Sequence, residues 1–188
     1  YISSLGNVTV ITGTRILIDD GGNARSDEIS ASFRRLLLRP KRWDMEILEG
    51  PRLGFTPPSL SDEVIPAGIH LMGEHEANYF HWFAEILPRI YLYMQLTGEK
   101  ALPLLVSDGL NENLYDLLRI VCGNERVVKR LDPNLGYRVA TLVYPSDVNR
   151  ILDVYDRPPS HETTYLSVGL LKKLVREIKS TILPDTSA

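Results

Sequence analysis

Apolar positions recur with a helical period most densely between Asn78 and Met94. At steps of about 100°, with Asn78 as the N-cap, Asn78, His81, Glu85 and Arg89 fall on one stripe. Tyr79, Phe80, Phe83, Leu87, Ile90 and Met94 fill the far side, and Trp82 and Ile86 lie on a flank. A helix with so narrow a polar stripe is expected to be buried nearly all round, the stripe facing a cleft or internal partners. Pro88 has no N–H to give to the Ala84 carbonyl, so a kink is expected there, with that carbonyl free beside the stripe.

Before this helix, Val8–Ile11 and Arg15–Ile18 alternate well enough for two strands turning at Gly13, and Asp19-Asp20-Gly21-Gly22-Asn23 reads as a turn whose chemistry needs no metal. Ser30 to Leu38 fits a strand or a short helix. Residues 39–66 hold Pro40, Pro51, Pro57, Pro58 and Pro66 and read as a wrapping connection without regular structure. After it come a strand at Gly68–Met72, the central helix to about Leu96, a strand at Leu104–Ser107, an amphipathic helix from Asn111 to Cys122 stopped by Gly123, and strands at Val127-Val128 and Arg138–Tyr144. Strands alternating with helices imply an α/β unit with parallel pairing through right-handed crossovers, a Rossmann-like half. Arg157-Pro158-Pro159 reads as a linker. The helix Tyr165–Leu183 beyond it carries an apolar face of Leu171, Leu174, Val175, Ile178 and Ile182, which needs its own domain or another copy of the chain to cover it. The expected division is 1–66, N-terminal strands and the proline-rich segment; 67–150, the α/β core; and 151–188, linker and helix.

In such a sheet ligands sit beyond the carboxyl ends of the strands, where Gly73-Glu74-His75-Glu76-Ala77-Asn78 joins strand to helix. One glycine and two glutamates suit sugar hydroxyls better than a phosphate. His75 with Glu74 and Glu76 offers, together with His81, an alternative set of metal ligands, although only one of these pairs has helical spacing. Arg34, Arg35, Arg39, Lys41 and Arg42 form a basic cluster that serves as a solvated face or a phosphate contact.

Composition narrows the classes. A formal charge of -3 over 188 residues argues against a nucleic-acid partner. The single cysteine, Cys122, permits no intrachain disulfide and reads as a buried thiol. No apolar run reaches the roughly 20 residues of a membrane span. The sequon Asn7-Val8-Thr9 has no cysteine framework around it, and the expected setting is the cytoplasm of a bacterium, peripheral membrane association being left open.

The string Asn78-Tyr79-Phe80-His81-Trp82, followed by Glu85 and Leu87-Pro88-Arg89, resembles the hallmark segment of glycosyltransferase family 61, which includes bacterial capsule and polysaccharide enzymes, plant xylosyl- and arabinosyltransferases and animal N-acetylglucosaminyltransferases. The strand pair ending at Asp19-Asp20-Gly21-Gly22, the Pro103–Ser107 strand and the Val143-Tyr144-Pro145-Ser146 strand end agree with it, so the resemblance covers most of residues 5–150. It implies a GT-B fold of two Rossmann-like domains and inverting transfer of a sugar from a nucleotide sugar to a saccharide or glycoconjugate acceptor, with no cofactor in this chain. His81 or Glu85 would be the base, Arg89 an orienting or charge-stabilising group, and Asn78 a cap and sugar ligand, with Glu74 and His75 binding substrate from the loop. A donor-binding domain is expected after the linker, where the sequence stops. The chain is therefore expected to be the N-terminal, acceptor-side half, inactive by itself. Two other readings stand beside this one: a non-catalytic carbohydrate-binding or assembly protein of the same fold, and an unrelated α/β domain whose His81, Glu85 and Arg89 merely satisfy one another.

Overall fold

The computed structural model describes residues 2–25, 45–47, 53–73, 75–151 and 164–183. Glu74, the Ser30–Leu38 segment, the basic cluster from Arg34 to Arg42 and the Arg157–Pro159 linker lie outside the described residues. In chain order the elements are β1 (Ile2–Ile11), β2 (Leu17–Ile18), β3 (Ala24–Arg25), β4 (Met45–Ile47), β5 (Leu53–Phe55), β6 (Ser59–His70), α1 (Tyr79–His81), α2 (Leu87–Thr97), β7 (Leu104–Ser107), α3 (Glu112–Cys122), β8 (Val128–Leu131), β9 (Leu135–Pro145), β10 (Arg150–Ile151), β11 (Thr164–Tyr165) and α4 (Val168–Ile182).

The fold is mixed α/β. Seven strands form one sheet in the order β3-β2-β1-β9-β6-β7-β8. β9, β6, β7 and β8 are parallel, with Ile69 opposite both Val143 and Leu104, and Leu104 opposite Val128. β1 runs antiparallel along β9 from Ile2↔Pro145 to Ile11↔Gly136, so the N-terminal strand belongs to the same sheet as the core. Alternation along the strands sorts apolar side chains to two faces. Ile69, Leu104, Val106 and Val143 join the helix-side core with Trp82, Leu87, Ile90, Leu118 and Leu174. Val8, Val10, Ile65, Leu105, Leu131, Val139 and Leu142 form the other. α2, α3 and α4 touch one another over the first face.

The proline-rich reading of residues 39–66 is corrected at its end, because Ser59–Pro66 is the first two-thirds of β6. Proline cannot donate to a ladder, and Pro66 lies before the point at which β7 begins to pair, at Ile69, leaving β9 as its single neighbour. The β6–β9 pairing is irregular between Leu60 and Val64. The strand also curls. Only Asp132-Pro133-Asn134 join β8 to β9, although β7 and β6 lie between them, and Lys129 of β8 bonds Glu63 at 2.6 Å. The crossovers expected from the sequence thus hold a helix between β6 and β7 and between β7 and β8, but none between β8 and β9.

The central helix is largely buried, with its discontinuity before Pro88. Between α1 and α2, Trp82–Ile86 form a wide π-turn in which the Leu87 N–H donates to the Trp82 carbonyl. This widening makes room for the Pro88 ring against the preceding turn. It also changes the phase of the first turn, so Tyr79 and Phe80 are 48% and 56% exposed instead of filling the apolar side, and Trp82 and Ile86 are core residues. The Ala84 carbonyl, expected to be free, accepts from Asn149 Nδ2 at 2.5 Å. α3 follows expectation, capped by Asn111 and closed by Gly123 at φ 89°. α4 begins at Val168; Leu174 and Ile178 are buried in the helix-side core, so the partner of this face is the chain's own domain. Cys122 is buried, and burial pushes its thiol up to about 12. Among the described residues no helix is long and apolar enough to cross a membrane.

Candidate functional site

Adjacent parallel strands β6 and β9 end side by side and their chains then part, β6 continuing through Leu71–Asn78 into the central helix and β9 through Ser146–Asn149 toward β10. In open parallel sheets such a divergence beyond the strand ends is where ligands bind. A third segment reaches it, the turn between β1 and β2. Gly13 has φ 77°, Thr14 Oγ1 donates to the Ile11 carbonyl at 2.8 Å and accepts from the Ile16 N–H at 3.0 Å, which ties the turn down and turns Arg15 inward.

Arg15 is 6% exposed. Its Nη1 donates to Asp147 Oδ2, and its Nη2 lies 3.7 Å from Glu85 Oε2. A Cβ on Gly73 would stand 3.2 Å from Arg15 Nε, so glycine there lets the strand-to-helix loop pass close to the guanidinium. On the helix, the Nδ1 of His81 meets Glu85 Oε2 at 3.1 Å, one turn apart and both buried. The exposed ring of His75 stacks on His81, centroids 4.7 Å apart and 29° between planes, and Phe80 meets His81 edge-on.

One turn further, Arg89 lies under this group. Its Nε donates to the Pro145 carbonyl at 3.1 Å and its Nη2 to the His70 carbonyl at 3.2 Å, so one side chain bridges the ends of β9 and β6. Nε is also 3.7 Å from Asp147 Oδ1. His70 is fully buried, with its ring 5.2 Å from that of Tyr144. Burial first, then the charges of Arg89 and Arg15, hold its proton affinity well below the ordinary value, so it is neutral at pH 7, and neither ring nitrogen has a hydrogen bond of ordinary geometry. Two guanidiniums thus stand beside two acidic side chains, Glu85 and Asp147. Asn149 links the central helix to α4, donating to Ala84 and accepting from the Ser167 N–H at 2.6 Å.

Of the residues singled out in the sequence, His81, Glu85 and Arg89 are all buried, His81 is paired with Glu85, and His75 stacks on His81 from the loop. Asn78 stands apart from them, exposed, with its Oδ1 accepting from the Phe80 N–H at 2.9 Å. Asp19 is engaged in its own turn through Gly21 and Asn23. Among the described residues no group of three or more His, Cys, Asp or Glu is placed to hold a metal ion. Arg15, His70, Asp147 and Asn149 escaped the sequence reading. His70 was visible as one polar residue in an apolar strand, and Asp147 as the acid just past a strand end. Arg15 looked like ordinary strand alternation, and nothing local pairs it with a residue 132 positions away. No protein-family model, curated protein or solved structure matches the chain.

Proposed function

We propose that this chain is the acceptor-side domain of an inverting glycosyltransferase, the run from β6 to β8 serving as the Rossmann-like half of a GT-B enzyme and a further domain supplying the nucleotide-sugar site. The resemblance of the Asn78–Arg89 segment to family 61 supports the class. The observation that carries the chemistry is the His81–Glu85 pair near the ends of β6 and β9, with the exposed ring of His75 stacked on His81. With Glu85 accepting at Nδ1, the basic nitrogen of a neutral His81 is Nε2, the arrangement a general base needs to take a proton from an acceptor hydroxyl. His75 and Asn78 are the accessible polar groups that meet the sugar. Arg89, wholly enclosed and bonded to two carbonyls, holds the strand ends together beneath them.

His81→Gln, made in the polypeptide that includes the donor-binding domain, is expected to lower turnover by about 10²- to 10⁴-fold. A folded, fully active variant refutes the assignment. The near-complete burial of His81, Glu85 and Arg89 favours a second reading, a carbohydrate-binding protein of the same fold in which the stripe is architectural. That reading expects saccharide binding by calorimetry with no transfer from any nucleotide sugar.

A further inference from the structure

The β1–β2 turn brings a buried cation beside Glu85 that neither the helix nor its motif contains. Arg15 reaches two carboxylates from two different elements, donating through Nη1 to Asp147 and standing with Nη2 3.7 Å from Glu85. Glu85 uses the same Oε2 toward Arg15 and toward His81 Nδ1. All three side chains are at most 8% exposed, so water screens these charges little.

We propose that Arg15 is a positioning residue that sets the proton affinity of His81 through Glu85, with Asp147 competing for the same guanidinium. Its catalytic meaning rests on the reading of His81 given above. A carboxylate facing a guanidinium is partly neutralised and attracts a proton on a neighbouring imidazole less. Asp147 draws the guanidinium the other way, toward the end of β9, and Arg89 Nε, 3.7 Å from Asp147, moderates that pull. Other titratable groups in this region are His75, stacked on His81, Glu76, buried in the loop that precedes the helix, and neutral His70, which feels both Arg89 and Arg15. The planar fork of arginine lets one residue serve two carboxylates, which a single ammonium cannot do equally well.

Imidazole ¹⁵N spectra of the whole chain as a function of pH, with the His81 signals assigned by their loss in His81→Gln, test this without any turnover. Arg15→Gln is expected to keep His81 doubly protonated to higher pH. Asp147→Asn is expected to shift it in the opposite direction, because Arg15 then acts on Glu85 alone. Arg15→Lys should fall between wild type and Arg15→Gln. A merely structural Arg15 would lower the melting temperature and leave the His81 titration where it is, and that result overturns the proposal. If Arg15→Gln does not fold, the folded Asp147→Asn protein decides: a downward shift supports the coupling, and no shift or an upward one refutes it. An active His81→Gln enzyme would remove the catalytic reading while leaving these spectra unchanged, so the two failures are separable.

Discussion

Burial and two guanidiniums depress the proton affinity of His70 in the folded chain, whereas in the unfolded chain it titrates near 6.5. Below that pH the unfolded state binds a proton that the native state resists, so stability falls as pH drops, by up to about 1.4 kcal/mol per pH unit, and is retained above it. Urea denaturation at about pH 5.5 and about pH 7.5 should show this loss in wild type and a smaller one in His70→Leu; equal slopes would show that His70 is not its source. Asn149 presents a different case, a neutral amide satisfying two backbone groups at once. Asn149→Ala strands the Ala84 carbonyl and the Ser167 N–H and is expected to lower stability by about 1–3 kcal/mol, read from the same denaturation curves. The chemical identity of these side chains is in the sequence, but their partners are not. His81 and Glu85 were legible as a pair because one helical turn joins them, while Arg15 and Asp147 meet only across the sheet.

Local chemistry governs the elements more fully. The Asn111 cap, the apolar period through Leu114, Leu118 and Cys122 and the stop at Gly123 each act within a turn or two, which is why α3 was readable residue by residue. The central helix was readable as buried but not in its phase, since a π-turn changes the angle between residues and no local propensity announces it. β6 was hidden for another reason: Pro57, Pro58 and Pro66 argue against a strand, and only the long ladder with β9 outweighs them. α4 offers a direct test of where its apolar face belongs. Leu174→Ala should cost about 2–5 kcal/mol as a fully buried leucine, and Leu171→Ala, half-buried, distinctly less. Neither should change the mass seen by light scattering; a lower mass for Leu174→Ala would mean that another copy covers this face.

For the molecule as a whole, the two-domain proposal makes this chain the half that positions an acceptor, and the alignment with a donor that supplies much of the rate of a two-substrate transfer would need the other half. Residues 1–188 alone are therefore expected to transfer no sugar from any nucleotide donor above background, and measured turnover free of a complete enzyme would contradict the two-domain proposal. By itself the sequence determined the α/β class, the parallel pairing of β7 with β8 and with the last residues of β6, the cap and stop of α3, the burial of the central helix and the pairing of His81 with Glu85, because each depends on periodicity or on groups one turn apart. Tertiary structure alone decided that β1 lies along β9, that β8 passes to β9 through a curl rather than a crossover, and that a turn near the N-terminus puts Arg15 beside Glu85 and Asp147. Those pairings join residues far apart in the chain, and they are selected by which strands share a ladder and which buried charges find a counter-charge, neither of which is encoded within any single segment.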